Sequence, residues 1–175
     1  MAHARITAAN ASLISTTSMS LSDRPARSST FAPGTLQIST DNVGADALVT
    51  INGGTLNSAF LLSGSTMNGT GQVFGGPSTW TGGTITGTAA QSITFSGTLT
   101  ISGANGKTLS GGRSVNAVDT TWTGNTGNGN NVIAISQAGA FNNNGTFTDS
   151  NGFDSAINAG GGGGIFNNFG TFNKQ

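Results

Sequence analysis

Threonines that flank a large apolar residue are the side chains of this chain best placed to bind a ligand. The candidate pairs are Thr79/Thr81, Thr98/Thr100, Thr121/Thr123 and Thr146/Thr148. Because side chains alternate between the two faces of a β-strand, both threonines of a pair point away from the apolar residue between them. If the four strands stack, the pairs form a flat array of hydroxyl and methyl groups that suits carbohydrate or ice. A structural role fits as well, since cross-strand threonine pairs contribute about 0.2–1 kcal/mol each.

The two tryptophans occupy the apolar slot between threonines. Trp80 and Trp122 are therefore predicted to pack in the core, and the alternative is a pair of exposed platforms that stack on sugars. The asparagine runs 142–144 and 167–168 predict amide ladders that stack at a corner of the fold. Contact with a glycan is the alternative for these asparagines.

Charged residues give little support to catalysis or to metal binding. The segment from Asp149 to Asp154 loosely resembles a calcium loop, but the chain has no glutamate to serve as a bidentate ligand. Asp119, Asp149 and Asp154 with Arg113 are the only catalytic candidates, and they are separated in sequence, while His3 stands alone. The absence of cysteine excludes disulfides and zinc–thiolate sites. We predict a non-enzymatic protein without metal or cofactor.

The elements that position these residues follow from a repeat. The apolar centres Leu36, Leu56, Trp80, Leu99, Trp122, Phe141 and Phe166 are 20, 24, 19, 23, 19 and 25 residues apart. A repeat of about 22 residues indicates a stack of similar coils joined by loops of variable length. The sequence predicts an all-β parallel β-solenoid of six or seven coils, roughly 30 Å long at about 4.8 Å per rung.

Composition supports a folded β-rich chain and excludes several functions. The 175 residues include 29 Gly, 10 Phe and 2 Trp, and 7% of them are charged. The aromatic residues fall largely on the repeat, which argues against disorder. The zero formal net charge and six basic residues exclude a nucleic-acid footprint, and no apolar run is long enough to insert into a membrane as a helix.

Two segments are predicted, a leader over residues 1–33 and a solenoid over residues 34–175. The leader holds three of the six basic residues. Its alanine-rich part, residues 2–14, predicts a short helix that caps the first coil, with a disordered leader as the alternative. The glycines at 160–164 predict a flexible insertion and not a phosphate loop, since no Lys-Ser/Thr follows them.

The phrases at 78–87, 139–148 and 164–173 resemble the repeats of bacterial autotransporter passengers and filamentous-haemagglutinin-like adhesins. The resemblance covers roughly residues 34–175 and implies a right-handed parallel β-helix displayed at the cell surface or outside the cell. It implies a structural or adhesive role, with self-association end to end and surface glycans as the expected partners. No signal peptide is visible in residues 1–20. Since such repeats run for hundreds of residues, we expect a fragment, or a subunit whose end is covered by another chain.

Overall fold

Every secondary-structure element of the described chain is a β-strand. The computed structural model describes residues 5–9, 12–14, 35–39, 48–52, 55–57, 59–124, 132–152 and 156–175. The strands are β1 (Arg5–Ala9), β2 (Ser12–Ile14), β3 (Thr35–Ser39), β4 (Leu48–Asn52), β5 (Thr55–Leu56), β6 (Ala59–Thr70), β7 (Gln72–Phe74), β8 (Ser78–Ile85), β9 (Ser92–Ile101), β10 (Lys107–Leu109), β11 (Ser114–Trp122), β12 (Val132–Ile135), β13 (Ala140–Asp149), β14 (Ala156–Ala159), β15 (Ile165–Asn168) and β16 (Thr171–Lys174). Within these residues no helix has the length and apolarity that a membrane-spanning helix requires.

From β3 onward, the strands stack in parallel register on three faces, which the chain visits in turn. The Trp face consists of residues 35–38, 59–62, 78–80, 99–101, 120–122, 147–149 and 172–174. The Lys face consists of residues 48–52, 66–70, 84–85, 107–109, 133–135 and 157–159. The Asn face consists of residues 55–56, 73–74, 94–95, 116–117, 142–143 and 167–168. The predicted all-β parallel solenoid is confirmed.

The interior is built from columns of apolar residues that the register brings together. Four turns bury an apolar residue on all three faces, slightly fewer than the six or seven coils predicted. On the Asn face, these residues are Leu56, Phe74, Phe95 and Ala117. On the Trp face they are Leu62, Trp80, Ile101 and Trp122, and on the Lys face they are Met67, Ile85, Leu109 and Ile135. In the next turn, the same positions hold Asn143, Asp149 and Ala159. The apolar columns therefore end there, although Phe141 and Phe147 remain buried.

Stacked aromatic rings join successive turns inside the solenoid. The ring centroids of Phe60 and Phe74 are 4.3 Å apart, and those of Phe74 and Phe95 are 5.0 Å apart. On the Trp face, Phe147 stacks on Phe172 at 5.2 Å. Offset stacking of this kind adds about 0.5–1.5 kcal/mol per pair to the burial of the rings. It explains why apolar residues recur at the same place in each coil.

Long strands bend where the chain passes from the Asn face to the Trp face. β11 shifts its register against both neighbours between Ala117 and Asp119. The neighbouring strand has Gly145 at this bend, where a Cβ atom would collide with the carbonyl oxygen of Val118. Glycine is required there by the close approach of two backbones.

The N-terminal segment differs from the prediction. The short helix expected over residues 2–14 is wrong for the described residues, because Arg5–Ala9 and Ser12–Ile14 are strands. β1 pairs with β4 and β2 pairs with β3, both antiparallel. An exposed strand edge offers hydrogen bonds along its length, and this tertiary pairing outweighs the modest helix preference of alanine.

The glycine run at 160–164 forms a corner that stacks on the corner of the preceding coil. The amides of Gln137 and Ala138 donate to the carbonyl oxygens of Gly161 and Gly162, at 2.9 Å and 3.2 Å. Gly162 has φ of 86°, a left-handed conformation that glycine adopts without strain. The run is a hydrogen-bonded corner of the coil.

Candidate binding face

A column of threonines runs along the outer surface of the Trp face. Thr79, Thr100, Thr121 and Thr148 occupy register-equivalent positions in successive rungs. All four are half-buried, since each side chain is partly covered by the rungs above and below it. Leu61 precedes the column and Asn173 follows it. Hydroxyl and methyl groups therefore recur at the spacing of the strands, about 4.8 Å.

The other four candidate threonines lie in two flanking columns. One column contains Thr98, Asp119, Thr146 and Thr171. The other contains Thr81, Ser102, Thr123 and Ser150, which follow the last paired residue of each rung. With the central column, they make three parallel columns on this side of the solenoid. These columns contain one charged residue, Asp119, and the sequence pattern missed Ser102 and Ser150.

The register differs by two residues from the one that the repeated phrases suggest. Matching the phrases places Trp80 beside Leu99, whereas the structure pairs Trp80 with Ile101 and pairs Leu99 with Ser78. Consequently Thr100 lies beside Thr121 and not beside Thr123. The candidate threonines form one continuous central column and two mixed columns instead of two aligned columns.

A second threonine column lies on the outer surface of the Lys face. Thr66, Thr84 and Thr108 occupy equivalent positions in three successive rungs and are half-buried. The phrase pattern did not identify them, although they alternate with the buried Met67 and Leu109. Threonine columns are thus a property of more than one face of the solenoid.

The two tryptophans lie in the core, as predicted. Trp80 and Trp122 are each 1% exposed, so neither indole is available as a platform for a sugar. The rings of Trp122 and Phe147 pack in a T-shaped arrangement, with centroids 6.4 Å apart. The indole N–H of Trp80 has no hydrogen-bond partner in the described structure.

The predicted asparagine ladder is confirmed, but it lies within the strands of the Asn face and not at a corner as expected. The Asn142 amide donates to Asn116 Oδ1 at 2.8 Å, and the Asn167 amide donates to Asn142 Oδ1 at 2.8 Å. Inside the coil, Asn143 donates to Asn168 Oδ1 and to the carbonyl oxygen of Thr171. The sequence pattern missed Asn116, which stands alone in its phrase.

The charged candidates are positioned separately. Arg113 is buried and donates to Thr86 and Gln72, while Asp119 is exposed in the column that flanks the Trp face. Asp149 forms an ion pair with Lys174 at 3.2 Å. Asp154 and His3 lie outside the described residues.

The segment that loosely resembles a calcium loop begins with a turn closed by its own side chains. Asp149 Oδ1 accepts hydrogen bonds from the backbone and side-chain amides of Asn151, at 3.1 Å and 2.7 Å. The part of the chain that the structure describes contains no cluster of three potential metal-ligating acids or histidines.

The buried cations were not anticipated. Lys107 lies inward on the Lys face between Gly83 and Ile133, and its Nζ donates to the carbonyl oxygen of Gly103 at 2.6 Å. Burial lowers the pKa of Lys107 to about 8 and the pKa of Arg113 to about 10. Strand alternation was the available signal, because it places Lys107 on the same side as Leu109.

No protein-family model, curated protein or solved structure matches this chain.

Proposed function

We propose that the chain is a non-catalytic structural or adhesive segment of an extracellular or cell-surface protein, in which stacked coils provide length and stiffness. The observation that carries this proposal is the continuous register of the interior columns. On the Trp face, Leu62, Trp80, Ile101 and Trp122 follow one another with no break. Each turn covers the apolar edge of the next, so the packing itself extends the stack along one axis.

The distribution of polar residues supports a structural role. Threonine columns occur on the Trp face and on the Lys face, as expected if threonine serves the strands themselves. The asparagines at 116, 142 and 167 use their amides to bond one another. Both kinds of residue stabilise the stack, and the repeats resemble those of surface adhesins and autotransporter passengers.

Self-association end to end is the form of assembly that we propose. Ile165, Phe169 and Phe172 are exposed on the rung that contains β15 and β16, and Phe172 is 43% exposed. Among the residues that the structure describes, β14, β15 and β16 each pair with a single strand. Stacking of a second copy on this rung would cover the apolar side chains and satisfy the strand edges.

Electron microscopy of the purified chain tests this assembly. The wild-type chain is expected to form filaments or end-to-end pairs, and Phe172→Asp is expected to leave single particles. Val118→Asp is the matched control, because Val118 is 41% exposed but lies away from that rung, so this variant should assemble like the wild type. Single wild-type particles at high concentration would contradict the assembly.

A flat-face module for ice or carbohydrate is the second candidate function. The column Thr79, Thr100, Thr121 and Thr148 favours it, because such a regular row of hydroxyl and methyl groups can match an ordered surface. Thr121→Tyr would disrupt this column, and Thr84→Tyr on the Lys face is the matched control. Thermal hysteresis or glycan-array binding lost only in Thr121→Tyr would support the module. The absence of both activities from the wild type would eliminate it.

A further inference from the structure

The side chain of Arg113 links its own coil to two preceding coils, inside the solenoid at the corner between the Lys and Asn faces. Its side chain is 0% exposed. Nη1 donates to the carbonyl oxygen of Thr86 at 2.8 Å, and Nη2 donates to Gln72 Oε1 at 2.7 Å. Because Gln72 pairs with Ile93, and Ile93 pairs with Val115, the guanidinium reaches back across two rungs.

Two donors beside this contact have no hydrogen-bond partner. They are Arg113 Nε and Gln72 Nε2, and Gln72 is 2% exposed. Buried N–H groups are nearly always satisfied in native proteins, so each of these groups requires an acceptor. The ion pair of the described residues joins Lys174 to Asp149, and Arg113 has no carboxylate partner among those residues. The site thus combines a buried positive charge with two unmet donors.

Both donors belong to the two side chains that one hydrogen bond joins. Nε–H and one Nη2–H lie on the same edge of the planar guanidinium. The Gln72 side chain, whose Oε1 accepts from Nη2, therefore contacts the guanidinium that carries the unmet Nε–H. A water molecule would satisfy the donors but would leave the charge uncompensated, whereas an anion does both.

We propose that Arg113 Nε and Gln72 Nε2 together bind a small monovalent anion of the halide class. Chloride is the ligand expected in ordinary solution. The bound anion and the guanidinium would form a buried ion pair that joins three successive coils. Such a site would exist whether or not the solenoid has the structural role proposed above.

The anion should bind the folded chain and not the unfolded one, because Gln72 and Arg113 are 41 residues apart in sequence. Ligands that bind only the native state stabilise it in proportion to the logarithm of their concentration. Above the dissociation constant, each tenfold rise in chloride should raise the folded-to-unfolded ratio about tenfold. Urea titrations at constant ionic strength measure this, with gluconate replacing chloride.

Two variants separate the anion from general salt effects. Gln72→Glu supplies an internal carboxylate, so it should keep the contact between position 72 and Arg113 and lose the chloride dependence of stability. Arg113→Met should also lose it, provided that the variant folds. Lys107→Met is the matched control, since it removes the other buried cation and should retain the chloride dependence.

Bromide identifies the position of the ion. Crystals grown in bromide should show an anomalous peak within about 3.5 Å of Arg113 Nε, a separation typical of a halide hydrogen bond. The peak should be absent from Gln72→Glu. A wild type whose stability does not respond to chloride, or a bromide crystal without that peak, overturns the proposal and assigns the position to water. A chloride dependence that persists in Gln72→Glu overturns it as well.

Discussion

Lys107 gives the solenoid an unusual dependence of stability on pH. Burial lowers its pKa from 10.5 to about 8. Between these two values the unfolded chain binds more protons than the folded chain, so the stability contributed by this residue increases as the pH rises. At about 1.36 kcal/mol per pKa unit, the full difference is about 3 kcal/mol, of which about 2 kcal/mol appears between pH 8 and pH 10. Lys107 is 0% exposed, in keeping with desolvation as the cause of the lowered pKa.

Lys107→Met should remove that dependence. Methionine fills a similar apolar volume without a charge, so the variant should be at least as stable as the wild type at pH 7. Urea unfolding at pH 7, 8, 9 and 10 should show the gain in wild type, whereas the variant should keep only the much smaller rise near pH 10 that the lowered pKa of Arg113 contributes. Lys174→Met is the control, because Lys174 is half exposed and its removal should leave the gain intact. A wild type whose stability is constant or falls between pH 8 and pH 10, or a Lys107→Met chain that keeps the gain, refutes the reasoning.

Three further substitutions test the packing by urea or thermal unfolding. Trp80→Ala should cost about 3–5 kcal/mol, because the indole is buried in the core; a loss below about 1 kcal/mol would contradict its placement. Asn142→Ala should cost about 1–3 kcal/mol by breaking both ladder bonds, whereas Asn144→Ala should change stability by less than about 0.5 kcal/mol; equal losses would count against the ladder. Gly145→Ala should cost about 1–3 kcal/mol through backbone collision, and Gly106→Ala, which meets open space, should be tolerated; a stable Gly145→Ala chain would be inconsistent with the bend.

The stacked coils could be predicted from the sequence because each coil needs the same apolar residues. Leu62, Trp80 and Trp122 lie inward because successive side chains of a strand point to opposite faces, and their neighbours in the strand point outward. The three-faced cross-section could not be derived, since the same phrase occurs on different faces. Leu36 is on the Trp face, while Leu56 is on the Asn face.

The register could not be derived either. A slip of two residues leaves every side chain on its own face, so the apolar pattern is equally satisfied by pairing Trp80 with Leu99 or with Ile101. The bends and loops between strands decide between these two registers, and their geometry depends on tertiary contacts that the sequence pattern does not contain. Lys107 was missed for a related reason, because lysine is rarely buried and composition alone assigns it to the surface.

Disulfide trapping measures this register most directly, and the chain has no native cysteine to interfere. Thr100 pairs with Thr121 across neighbouring parallel strands, at a strand separation of about 4.8 Å that lies within disulfide range. The double variant Thr100→Cys/Thr121→Cys is therefore predicted to form an intramolecular disulfide under mild oxidation. Thr100→Cys/Thr123→Cys, with the second cysteine two residues further along the strand, should stay reduced. Trapping of the second pair and not the first would contradict the register in which Thr100 lies beside Thr121.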